Sequence, residues 1–175
     1  MASSHIPTTS ATDYYGSRAD IMLDLQLYCE SLLSIRSKDE RLIPFVWNLL
    51  QAEYMRLKRR AREQGRPAHY IVVKARQGGI STIEQAASFQ LTATTPYVYA
   101  LTLAHDVDST QTIFEIATRF YDTFGDPTER PRRKTENKRE LRYPGLDSLF
   151  AIATAGASGI GHGRTINRLH GSEVS

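Results

Sequence analysis

Cysteine is almost absent from this chain, and its one thiol, Cys29, excludes an internal disulfide and fits a reducing cytosol. Long apolar runs are missing too. None approaches the roughly 20 residues that cross a bilayer, which argues against a membrane protein. The start, Met1-Ala2-Ser3-Ser4-His5, lacks the basic residues and apolar stretch of a secretory signal. There is no internal repeat, no long low-complexity tract and no compact zinc spacing; His162, His170 and Glu173 are too irregularly placed for a metal set. Strong charge of one sign is also lacking, since 22 Lys+Arg against 19 Asp+Glu leave a net charge of +3. What is there suffices for one globular domain with a sizeable core: 175 residues, 41% hydrophobic and 23% charged.

The basic surplus is concentrated at Lys58-Arg59-Arg60-Ala61-Arg62 and Arg130-Pro131-Arg132-Arg133-Lys134. Such clusters either meet nucleic-acid phosphates or lie solvated. For the first, a helix end offers a simple reason, because cations there offset the dipole. Residues 1–18, rich in Ser, Thr, Ala and Gly, read as a loose segment. Ile21, Leu25, Tyr28, Leu32 and Ile35 then predict one helix, in whose apolar pattern Cys29 is expected to be buried and inert. A second helix is predicted over 46–64, with Val46, Leu50, Tyr54 and Leu57 buried and Gly65 and Pro67 ending it.

From residue 69 strands and helices alternate. Tyr70–Val73 reads as a short strand buried on both faces, followed by a helix over 79–93 and a second buried strand over 97–103. A helix starting at Asp106 or Asp108 carries Ile113, Ile116, Ala117, Phe120 and Phe124 on one face. A basic loop over 128–140 leads to a hairpin of Glu140–Tyr143 and Ser148–Thr154. After the glycine-rich 156–163 comes a last strand over 165–170. That order argues for an α/β domain with a largely parallel sheet covered by helices.

One segment carries chemistry. In Val73-Lys74-Ala75-Arg76-Gln77-Gly78-Gly79-Ile80-Ser81-Thr82, a strand passes through a glycine loop into a helix with a hydroxyl pair. Glycines let the backbone approach phosphates, the helix N-terminus favours anions, and Ser81 or Thr82 offers a hydroxyl to Mg²⁺. Ile80 stands where a lysine normally precedes the Ser/Thr, so the cation must be Lys74 or Arg76. On pattern alone the same residues also fit an ordinary strand–turn–helix with a glycine turn. Upstream, Ile43-Pro44-Phe45-Val46-Trp47-Asn48-Leu49-Leu50-Gln51 places a glutamine whose amide can donate to and accept from adenine.

Taken together, these segments resemble the ATPase domain of tailed-phage terminase large subunits, the motors that package DNA. Lys74–Thr82 is similar to that family's deviant Walker A loop, in which the lysine can stand first. Pro44–Gln51 resembles its adenine segment. Thr154-Ala155-Gly156, Gly161-His162-Gly163-Arg164-Thr165 and His170-Gly171-Ser172-Glu173-Val174 resemble the run into Walker B. The likeness implies an ASCE-type P-loop NTPase with three layers and a mostly parallel sheet, incomplete on its C-terminal side. It divides the chain into a flexible segment plus helix over 1–40 and a partial ATPase domain over 41–175.

The resemblance also implies roles. Gln51 would read adenine with Asn48 fixing that segment, while Lys74, Gln77, Gly78, Gly79, Ser81 and Thr82 would bind the phosphates of ATP. Ser81 and Glu173 would hold Mg²⁺. Glu173 would orient or deprotonate water, and Arg76 would act on the γ-phosphate. Implied partners are double-stranded DNA, a small terminase subunit, a portal and further copies in a ring, in the host cytoplasm and away from membranes. Two positions depart from the family's pattern: Ser172 replaces the usual acidic residue, and His162 stands where arginine is frequent. The family's C-terminal nuclease domain is not in these residues. A truncation after Walker B is expected, leaving the chain poorly active on ATP by itself. Other readings of the same residues are a helicase-like P-loop ATPase and a non-catalytic prophage remnant or DNA-binding module.

Overall fold

The computed structural model describes residues 17–65, 69–73, 78–134, 139–157, 160–161 and 163–172. It begins with two short helices, α1 (Arg18–Leu23) and α2 (Leu25–Leu32), where the apolar stripe predicts one. Asp24 makes the break. Its backbone is extended, and its carboxylate accepts the N–H groups of Gln26 and Leu27 at 2.8 and 3.0 Å. A cap of this kind starts a new helix even where the apolar period runs on. Ile35, the last member of the stripe, lies instead in β1 (Ser34–Arg36), which pairs antiparallel with β2 (Leu42–Pro44). The loose segment expected at the N-terminus falls almost wholly outside the described residues.

Helix α3 (Leu49–Glu63) is capped by Asn48, but its buried side is not the predicted one. Val46, Leu50 and Leu57 are exposed, whereas Gln51 is buried with Tyr54 and Lys58 half-buried beside it. Tyr54, expected on the buried face, and Met55 do pack against the apolar core, but the groups that meet Gln51 and Lys58 are the Gly79 carbonyl and the Glu84 carboxylate, so the helix also turns hydrogen-bonding side chains inward. Tyr70–Val73 is likewise not a strand. Ile71 and Val73 are 97% and 96% exposed, and among the described residues β6 pairs with β3 alone, leaving this run no ladder.

Helix α4 (Ile80–Thr94) follows Gly79 and is the centre of the molecule: ten of its 15 residues are buried, which is why it shows little amphipathic stripe. β3 (Tyr99–Ala104) leads to α5 (Val107–Asp122), capped by the Asp106 carboxylate accepting the Ser109 N–H at 2.6 Å. Its Ile113, Ala117 and Phe120 are buried as expected, together with Phe124 beyond its end. A 3₁₀ turn, Pro127–Glu129, precedes the predicted hairpin of β4 (Glu140–Tyr143) and β5 (Ser148–Thr154). β6 (Arg168–Ser172) comes last.

The sheet order is β4-β5-β3-β6, with β5, β3 and β6 mutually parallel and β4 antiparallel to β5. This is an α/β fold with a mixed, mostly parallel sheet. Ala100 and Ala104 of β3, with Phe150 and Ile152 of β5, face a core shared with α2, α4 and α5. There Phe89 lies within 6.1–6.4 Å of the rings of Tyr28, Phe120, Phe124 and Tyr143. Tyr99, Leu101, Leu149 and Ala151 face the other way, with Ile160 packed on them. Among the described residues the buried helical side chains sit on one face only, two layers where three were expected. Cys29 is buried, and burial pushes its thiol up to about 12. Among the described residues no helix is long and apolar enough to cross a membrane.

Candidate functional site

Gly79 caps α4 in the left-handed region at φ 76°, and it cannot be replaced at that spot without cost. A Cβ there would lie 2.6 Å from Gln51 Nε2. The close approach is functional in the local sense: Gln51 Nε2 donates to the Gly79 carbonyl at 2.8 Å, and Asn48 Nδ2 donates to the Gly78 carbonyl at 3.4 Å. The other end of the Gln51 amide accepts the Asn48 N–H at 2.9 Å, closing a capping box in which Asn48 accepts the Gln51 N–H. Gln51, expected to read adenine, and Asn48, expected to fix that segment, therefore both hold the glycine turn, and Gln51 is only 3% exposed. Reading adenine would require the Gln51 amide to release both partners.

The first turn of α4 points its N–H groups and positive dipole end past this turn. Ser81 lies there, and its hydroxyl is 3.4 Å from that of Ser172 at the end of β6. The contact joins residues 91 positions apart in sequence. Below it, β6 meets α4 through polar groups alone at each inward position. Gln85 Nε2 donates to His170 Nδ1 at 3.0 Å while Gln85 Oε1 accepts from Thr102 at 3.1 Å. Arg168 donates to Glu84 Oε2 at 2.6 Å and to Ser88 Oγ at 3.1 Å. Residues 81, 85 and 88 share one helix face, and 168, 170 and 172 one strand face, so the three contacts form a ladder.

Glu84 is the charged centre of this ladder, 3% exposed. Its Oε1 accepts from Tyr54 at 2.7 Å and from Lys58 at 2.6 Å, and Arg168 takes Oε2. Burial by itself would raise the Glu84 carboxyl, but the Arg168 and Lys58 charges outweigh it and hold the group at about 2. A cleft with about 160 Å³ of water-accessible volume runs beside these groups, lined by Tyr54, Lys58, Ser81, His170 and Ser172. It therefore connects the hydroxyl pair to the buried charges. In an α/β sheet, the carboxyl ends of parallel strands are where ligands bind, and Ser172 is at such an end.

Of the residues singled out in the sequence, Asn48, Gln51, Gly78, Gly79, Ser81 and Ser172 converge here. Thr82 follows in the same first turn of α4. Lys74, Arg76, Gln77, His162 and Glu173 lie outside the described residues. Of the two basic clusters, the first is not uniformly solvated, because Lys58 is drawn onto Glu84. In the second, the guanidiniums of Arg130 and Arg133 lie 5.1 and 4.1 Å from the Tyr121 ring centre, and Arg133 also pairs with Asp122 at 3.4 Å. Glu84, Gln85, Thr102 and Arg168 were not anticipated. A lone carboxylate amid the small and apolar residues of α4 was the one signal that could have marked them. No protein-family model matches the chain, and no curated protein matches it.

Proposed function

We propose that this chain is the ATPase portion of a tailed-phage terminase large subunit, working in ATP-driven movement of double-stranded DNA into a capsid. The observation that carries the reading is the 3.4 Å approach of the Ser81 and Ser172 hydroxyls at the start of α4. It brings together two sequence segments that resemble the phosphate loop and the approach to the catalytic acid of a P-loop NTPase. The left-handed Gly79 turn and the α4 N-terminus supply backbone N–H groups suited to phosphate oxygens. Lys74, Arg76 and Gln77 precede that turn and add the cation and amide. Ser81, with Ser172 and Glu173, would hold Mg²⁺, which when bound neutralises charge on the phosphate oxygens. Glu173 follows Ser172 directly and is the group assigned to orient the attacking water. The segment Arg130–Lys134 is assigned to DNA or to a neighbouring copy in a ring with portal and small subunit, in the host cytoplasm.

The test is titration of residues 1–175 with a fluorescent ATP analogue and Mg²⁺. Saturable binding is expected, lost in Lys74→Ala. Absence of binding by the parent chain overturns the reading. Since Gln51 is engaged by Asn48 and Gly79, unlabelled GTP is expected to compete about as well as ATP. A strong preference for ATP would instead show that the Gln51 amide lets go and reads the base.

A further inference from the structure

The ladder between β6 and α4 does more than fill space. Arg168 and Ser172 are four residues apart, which along a strand is about 13 Å. Their partners Glu84 and Ser81 are three apart, only about 4.5 Å along a helix axis. Only a long side chain can bridge that mismatch while the shorter hydroxyls meet at the top. Arg168 is such a side chain, reaching Glu84 at 2.6 Å and Ser88 at 3.1 Å. The carboxylate it reaches is nearly inaccessible to water and is also held by α3 through Lys58 and Tyr54. The same α3 holds Gly78 and Gly79 through Asn48 and Gln51. Three elements thus meet at one carboxylate.

We propose that Glu84 and Arg168 are positioning residues: their ion pair clamps β6 to α4 and so sets the separation of the Ser81 and Ser172 hydroxyls. Both oxygens of Glu84 are already engaged by Tyr54, Lys58 and Arg168, and the carboxylate is 3% exposed, so the pair is assigned no contact with a ligand of its own. Their effect is transmitted along β6, from its first residue to its last, and along one turn of α4. Arg168→Met leaves the Lys58–Glu84 pair intact and frees only the strand. Glu84→Gln leaves a hydrogen-bonding side chain of the same shape but removes the charge that attracts the strand. What the two hydroxyls hold rests on the nucleotide reading above; the clamp itself can be measured without nucleotide.

The experiment therefore has two arms on the full 175-residue chain. In the first, Ser81→Cys and Ser172→Cys are combined and the rate of disulfide closure under diamide is followed. Closure is expected in this pair, slower by about tenfold when Arg168→Met is added, as loss of a hydrogen-bonded charge predicts, and largely restored with Arg168→Lys. Glu84→Gln, a second route to the same loss, is expected to slow closure as well. Circular dichroism of each variant confirms that the fold persists. In the second arm, a fluorescent ATP analogue is titrated with Mg²⁺ and with EDTA. Arg168→Met, in the Ser81 and Ser172 background, is expected to weaken the Mg²⁺-dependent gain in affinity by about tenfold, leaving affinity in EDTA nearly unchanged. Closure at the parent rate in both Arg168→Met and Glu84→Gln overturns the clamp, whatever the nucleotide arm gives. Normal behaviour in the first arm with no nucleotide binding by the parent overturns the function reading and leaves the clamp standing.

Discussion

Replacing Gly79 by alanine tests whether the glycine turn is held as tightly as the geometry says. At φ 76° an alanine enters the left-handed region, a cost of about 1–2 kcal/mol. Its Cβ would meet Gln51 Nε2 at 2.6 Å and Cδ at 3.2 Å. Gln51 cannot simply swing aside, because both ends of its amide are bonded within 2.9 Å and it is buried. Displacing it forfeits roughly one net hydrogen bond, about 1 kcal/mol. The stiffer unfolded chain gives back about 0.4–1 kcal/mol. The net loss is about 2 kcal/mol, which for a chain of this size is a drop of about 1 M in the urea midpoint. Gly65 is the internal control: it too has positive φ, at 65°, but an added Cβ there has no described atom within 4 Å. Gly65→Ala carries the same backbone cost without the displaced hydrogen bond, so it is expected to cost about 1 kcal/mol less in the same urea unfolding measured by circular dichroism. Equal midpoints for the two variants would mean that backbone strain alone accounts for both and that Gln51 does not hold the turn. In a Gln51→Ala background, Gly79→Ala is expected to become about as mild as Gly65→Ala.

The remaining predictions concern the core and the buried charge. Phe89→Ala empties the space between four aromatic rings and is expected to destabilise by about 3–5 kcal/mol in the same urea unfolding, with Phe89→Leu recovering a good part. The Glu84 carboxyl is depressed from 4.5 to about 2, so its stabilising share is fully present above pH 4.5 and lost as pH falls through about 2. The unfolding free energy of the parent, from urea titrations between those limits, is expected to fall more steeply than that of Glu84→Gln, by about 3 kcal/mol in all. Parallel curves would show that Glu84 is not held by its cations.

Much of the frame could be read from the residues. The stripe Ile113, Ala117, Phe120 and the cap Asp106 located α5, because one face of that helix is apolar and the other is wet. The hairpin was legible from Pro144-Gly145 between two apolar runs. Three things were not. Ile21, Leu25 and Tyr28 keep helical spacing across Asp24, so periodicity hid a break made by one carboxylate. In α3 the leucines marked a stripe, but the groups below it are Gly78, Gly79 and Glu84, which reward an amide and an ammonium instead. Tyr70–Val73 has strand composition, yet a strand needs a neighbour, and composition cannot name one. For the site, the motifs at 48–51, 78–82 and 172 were visible as separate signals, and the structure brings them together. Of their supports, Glu84 was marked only by being the lone carboxylate of α4, and Arg168 was hidden because by itself it reads as an ordinary surface charge.

β6 is an inverted strand, with Arg168, His170 and Ser172 turned to the helices and Leu169, 60% exposed, turned away. A one-residue slip against β3 would carry every side chain to the opposite face. In most sheets water would proofread such an error by punishing exposed leucine. Here the slipped strand would gain by hiding Leu169, and the penalty would come from Glu84, stranded beside Lys58 without its guanidinium. Fidelity of pairing at this edge is thus enforced by charge, and it should weaken in strong acid, where Glu84 is neutralised, but little in high salt, because the pair is buried.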